Sequence, residues 1–209
     1  ATIHRTIRPE AVVQMSEDTV QRINTEQTAE QKIDVPDRLT NPHHLLKVHL
    51  EEWRSPKVDD YGAMRSGDIR QLNIRVSPKS LARALRIMDA LFKALEARGH
   101  QVGIQEGYQR SLGVRIDGEP IEFGLEERFQ RIAHPDQNNP RLESWMRKRY
   151  QYIPTSSLIL KIVAWGVDGI QKSWSDGKTS KIETCLNDFV VGLIRVAEVE
   201  KARRLNREQ

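Results

Sequence analysis

Leu112-Gly-Val-Arg-Ile-Asp-Gly-Glu-Pro-Ile-Glu-Phe-Gly-Leu125 is the stretch whose reading decides the fold class. Leu112, Val114 and Ile116 alternate with small or charged residues, and so do Ile121, Phe123 and Leu125. A period of two puts each trio on one face of an extended strand. Between them Asp117-Gly118 supplies residues that accept the positive φ of a tight hairpin turn. Two antiparallel neighbours sharing an apolar face are therefore predicted.

The same reading extends outward. Upstream, Val102 and Ile104 mark a further strand. Before it, Ser77-Pro78 opens a helix whose apolar positions are Leu81, Ala84, Leu85, Met88, Leu91, Phe92 and Leu95. That spacing is one-sided at the helical period, and Gly99 stands where a helix ends. Residues 71–76 alternate through Leu72, Ile74 and Val76, as a half-buried strand does. Downstream, residues 126–133 read as a short helix and residues 134–140 as a polar, Pro-bounded loop. Residues 158–165 are nearly all apolar, as in a strand covered on both faces. A loop over 166–177 precedes a last helix from Thr179 or Ser180 to near Arg207, with Ile182, Leu186, Phe189, Val190 and Leu193 on its stripe.

Residues 1–40 are weakly patterned, with Val20, Ile23 and Ala29 as the apolar points of a Thr-, Gln- and Glu-rich stretch. Asn41-Pro42 opens a short helix running to about Trp53, and residues 55–68 read as a linker. The expected architecture is α+β: a mainly antiparallel sheet of four to five strands with two long helices packed on one face. Residues 1–70 form a helical or irregular N-terminal arm, and residues 71–209 form the core domain. An arm of this kind suggests a homo-oligomer built through it.

Composition excludes several classes. At 209 residues, 38% hydrophobic and 30% charged, the chain suits a well-solvated domain with one sizeable core. No run approaches the ~20 apolar residues that span a bilayer, and the first residues show no apolar signal region, so no membrane partner is expected. The chain begins at Ala1 rather than Met, which suggests part of a longer protein. Cys185 is the single cysteine, which rules out an internal disulfide and fits a reducing, cytoplasmic location. Net charge is +4, but residues 1–70 carry 10 Lys and Arg against 12 Asp and Glu, while residues 71–209 carry 23 against 17. The basic excess lies in the core domain, where it permits a nucleic-acid partner.

The candidate binding stretch is Arg-Leu-Glu-Ser-Trp-Met-Arg-Lys-Arg-Tyr-Gln-Tyr at 141–152. Arg141, Arg147, Lys148 and Arg149 would neutralise phosphates, and Trp145 would stack on bases. The competing reading is a solvated basic helix with Trp145 and Tyr152 anchored in the core. Lys172 and Lys178 join the site if their loop folds onto the same side.

Other motifs are weaker. Gly177-Lys178-Thr179 lacks the earlier glycine of a phosphate-binding loop, because Lys172 stands there. His43, His44 and His49 lack the spacing of a helical zinc site. No cofactor, catalytic residue or metal ligand is assigned. The enzyme alternative is a metal-dependent nuclease of the restriction-endonuclease type, with Asp117 and Glu122 as ligands, but Gly124 replaces the lysine such a site uses.

Two segments also resemble a known group. They are Arg75 to Gly99, and Trp174-Ser-Asp-Gly-Lys onward to Asn187-Asp-Phe-Val-Val-Gly-Leu193. Together they are similar to the C-terminal region of poorly characterised bacterial proteins that often carry an upstream helix-turn-helix-like segment. The similarity covers roughly residues 34–204. It implies a bacterial, DNA-linked regulator and carries over no active site. The expected function is thus a non-enzymatic DNA-associated or regulatory protein. A degenerate nuclease and a pure protein-interaction domain are the alternatives.

Overall fold

A computed structural model describes residues 15–50, 53, 57–64, 72–105 and 111–208. The expected linker and the first residue of the expected strand at 71–76 lie partly outside these residues. The fold is α+β. The sheet runs in the order β2 (Gln101–Gln105), β3 (Ser111–Ile116), β4 (Glu119–Ala133), β5 (Tyr150–Val163) and β6 (Ser173–Ser175), each antiparallel to its neighbour. A two-residue strand β1 (Ile74–Arg75) pairs with β4 in parallel. The deciding hairpin forms as expected: Val114 faces Ile121 and Ile116 faces Glu119. Asp117 and Gly118 take φ of 52° and 86°, as the tight turn requires.

Two long helices, α3 (Pro78–Ala97) and α4 (Leu186–Glu208), cover one face. An edge-on aromatic chain shows that they share it. The ring of Phe123 on β4 lies 6.2 Å from Phe92 of α3 and 5.8 Å from Phe189 of α4, and Trp174 of β6 lies 5.2 Å from Phe189. Helix α3 starts on Pro78 and stops at Gly99, whose φ of 81° lets the His100 N–H turn back to the Leu95 carbonyl.

The first described helix, α1 (Glu17–Glu26), packs on α4. Thr19 donates to Glu198, Arg22 pairs with Asp117, and Arg98 of α3 pairs with Glu26. The Asn187 amide spans the Glu26 and Gln31 carbonyls. Ile23, Ile33, Leu46 and Trp53 enter the same core as the sheet. The described part of the N-terminal segment is therefore covered by its own chain.

Four local expectations are corrected. Residues 126–133 are strand, not helix, because each pairs with or flanks β5 across a long ladder that overrides the helix preference of Glu-Glu-Arg. The strand expected at 158–165 begins eight residues earlier, at Tyr150. It is buried on one face only: Leu158, Leu160 and Ile162 point to the helices, while Val163 is exposed. The last helix starts at Leu186, after a 3-10 turn at Ile182–Cys185. The short helix near Pro42 is a single turn, α2 (His44–Lys47), capped by His43 rather than Asn41.

Candidate nucleic-acid interface

Beyond residue 127 the strands β4 and β5 leave the core together as a two-stranded arm. None of residues 128–157 is buried. Phe129 faces Pro154, Arg131 faces Tyr152 and Ala133 faces Tyr150. Five paired residues, Phe129 to Ala133, at about 3.4 Å each give an arm of about 17 Å before its tip loop.

The root of the arm is fixed by buried charge. The register shifts between Glu127 and Phe129, and Ser156 opposite takes φ of 61°. Glu127 is 3% exposed, and its carboxylate accepts the Ser156 N–H at 2.7 Å and the Ser77 N–H at 2.8 Å. It thus ties the kink to the start of α3. Arg83 of α3 grips the Asp176 and Glu183 carboxylates and donates to the Ser156 carbonyl. Burial pushes the Asp176 carboxyl up, but Arg83 and the N–H groups of Leu158 and Ile182 outweigh it and hold the pKa at about 2. Glu183 is likewise lowered by Arg83 against the effect of burial.

One face of the arm carries a ladder of rings and guanidinium groups. Arg75 lies 5.4 Å from the rings of both Tyr61 and Phe129, Tyr61 is 4.6 Å from Tyr152, and Arg131 is 4.5 Å from Tyr150. Sequence reasoning missed Arg131 and Phe129. Their signal was the alternation Phe-x-Arg opposite Tyr-x-Tyr, which a helical reading of 126–133 hid.

The tip, residues 134–149, is closed by the His134 N–H on the Arg149 carbonyl and tightened by several internal bonds. The His134 ring caps Asp136, Asn139 accepts from the Arg141 N–H, and Arg147 Nε donates to the Leu142 carbonyl at 2.8 Å. The basic helix of the competing reading is absent over 141–149, and Trp145 is not a core anchor: it is 77% exposed. Among the described residues the side chains of Arg141, Lys148 and Arg149 meet no carboxylate and no hydrogen-bond acceptor.

The tip therefore brings together Arg141, Trp145, Arg147, Lys148 and Arg149. Lys172 and Lys178 lie elsewhere. The Lys172 carbonyl accepts from Ile162, twelve residues along β5 from Tyr150 and so roughly 40 Å away; its ammonium is held by the Ala164 carbonyl. Lys178 follows Asp176, which bonds to Leu158, roughly 25 Å from Tyr150. Trp174, between them, is buried among the helices.

Of the two acids weighed as metal ligands, Asp117 is engaged in an ion pair, as are its neighbours Glu119 and Glu126. Asp117 meets Arg22 at 2.7 Å, Glu119 meets Arg204 at 2.7 Å, and Glu126 meets Lys161 at 2.5 Å. Glu122 sits on the face away from the helices, opposite Val163. The described residues that bring three ligand atoms close together are His43, His44 and Glu96. The Nδ1 of His43 accepts the Leu45 N–H, which leaves only Nε2, 3.0 Å from Glu96 but without a hydrogen bond to it, to face the cluster.

In comparison with known proteins, no family model matches the chain, and neither a curated protein nor a solved structure matches it.

Proposed function

We propose that this chain is a non-enzymatic nucleic-acid-associated protein, of a DNA-linked regulatory kind, that engages phosphates with the tip of the β4–β5 arm. One observation carries the reading: Arg141, Lys148 and Arg149 stand exposed on one tip and, among the described residues, pair with no carboxylate. Most other basic groups near an acid are already paired, as Arg22, Arg83, Lys93, Arg98 and Arg204 are. An unpaired cation meets a phosphate without first breaking a salt bridge, and each contact releases condensed counterions. A two-stranded ribbon also has the cross-section that a major groove of about 12 Å admits. The similarity to bacterial proteins with an upstream helix-turn-helix-like segment points the same way.

The test is the salt dependence of binding to a 20-base-pair duplex between 50 and 200 mM salt. Combined Arg141→Ala, Lys148→Ala and Arg149→Ala substitution should flatten the log–log slope by about 2–3 units, at close to 0.9 per phosphate lost. Affinity should fall on every sequence alike, since phosphate contacts position without reading bases. Lys172→Ala should leave the slope unchanged. Equal slopes for wild type and the triple variant would refute the reading.

A further inference from the structure

We infer that the arm's target is nucleic acid with unpaired or displaced bases, and that Trp145 is the residue that stacks on them. This rests on the phosphate-binding reading of the same tip and adds the class of structure recognised. Trp145 is 77% exposed and Met146 beside it 49%. Among the described residues no ring and no cation packs on the Trp145 indole. The other aromatic residues of the arm face differ: Tyr61, Phe129, Tyr150 and Tyr152 all have a ring or guanidinium partner.

Exposing an indole to water is unfavourable, and the backbone around it is hydrogen-bonded. The Met146 N–H bonds back to the Glu143 carbonyl, and Arg147 Nε holds the Leu142 carbonyl. These bonds brace the backbone on both sides of Trp145. The unpaired cations Arg141, Lys148 and Arg149 lie within four residues of it. A flat apolar ring held among free cations is the pairing that single-stranded and unstacked nucleic acid meets, with bases on the ring and phosphates on the cations. An intact duplex buries its base faces and gives the ring nothing to stack on. An acidic protein surface would engage the cations but would offer the indole no stacked base.

The experiment uses the full chain and three probes of equal length: a thymidine oligonucleotide, an intact duplex, and a duplex with a two-nucleotide bulge. Trp53 and Trp174 are buried, at 5% and 6% exposure, and Trp165 is 87% exposed. A Trp165→Phe background, excited at 295 nm to spare the tyrosines, therefore leaves Trp145 as the exposed tryptophan among the described residues. The single strand and the bulged duplex should quench its emission and bind at least fivefold tighter than the intact duplex. Trp145→Ala should cost those two probes about fivefold or more, the low end of one stacked base. It should spare the intact duplex and leave the salt slope unchanged, and Trp145→Phe should restore part of the loss. Equal binding of all three probes with a salt slope but no quenching overturns this inference and leaves phosphate binding standing. Equal losses on all probes for Trp145→Ala also overturn it. Absence of binding to any probe at 50 mM salt sinks both.

Discussion

Replacing Arg83 with Met should cost the fold about 2–3 kcal/mol at pH 7, and the cost should shrink as the pH falls. Arg83 meets Asp176 through two nitrogens at 2.6 and 2.8 Å and Glu183 through two contacts at 2.8 and 2.6 Å. The Asp176 side chain is 3% exposed. Its pKa of about 2, against 3.8 for an ordinary aspartate, corresponds to about 2 kcal/mol of folding stability at close to 1.4 kcal/mol per unit. Removing one member of a buried pair costs about 3–5 kcal/mol, because the remaining charge is stranded. Two features moderate that here. Asp176 keeps the N–H groups of Leu158 and Ile182, and Arg83 is itself 23% exposed.

The sign with pH follows from the depressed carboxyl. Its contribution is complete above the ordinary aspartate value near 4, and is lost as pH falls through about 2. Without Arg83, burial dominates and the carboxyl takes up a proton at higher pH, which relieves the stranded charge. The gap between wild type and Arg83→Met should therefore narrow from pH 7 to pH 3. Urea denaturation followed by far-UV circular dichroism at pH 7, 5 and 3 measures it. Adding Asp176→Asn to Arg83→Met should cost less than the sum of the two single changes. A loss under ~0.5 kcal/mol at pH 7, the range of an exposed ion pair, would refute the reasoning. So would a gap that stays constant down to pH 3.

Three further outcomes are expected. Phe123→Ala removes the fully buried ring that joins both helices to the sheet and should cost about 3–5 kcal/mol in chemical denaturation. Glu127→Ala leaves the N–H groups of Ser77 and Ser156 unpaired; it should cost about 2–4 kcal/mol and speed amide exchange in residues 129–133 and 150–154 more than in α3. Gly124→Ala brings a new Cβ to 2.6 Å from the Asn73 carbonyl oxygen, so β1 must shift and the melting temperature should fall, for a cost of about 1–3 kcal/mol.

The sequence by itself determined the elements whose signal is local. The hairpin at Asp117-Gly118 follows from two alternating runs and a turn dipeptide. Helix α3 follows from a 3.6-residue period bounded by Pro78 and Gly99. Their apolar residues then dictated a sheet with helices on one face, because each stripe needs cover. The arm was not legible in the same way. Residues 126–133 are strand because they pair with β5 between residues 150 and 159 across a 16-residue loop, and Glu-Glu-Arg alone favours a helix. Single residues likewise took their roles from distant partners. Five of the seven basic and aromatic candidates lie together because one loop carries them, while Lys172 and Lys178 depended on their loop folding onto the same side, and it folds beside the core part of β5 instead. Which cations are free was decided by tertiary structure alone, since charge pairing depends on which acids the fold brings within reach. Arg83, Arg98 and Arg204 found carboxylates from segments 72 to 100 residues away; Arg141, Lys148 and Arg149, carried out of the core on the arm, found none among the described residues.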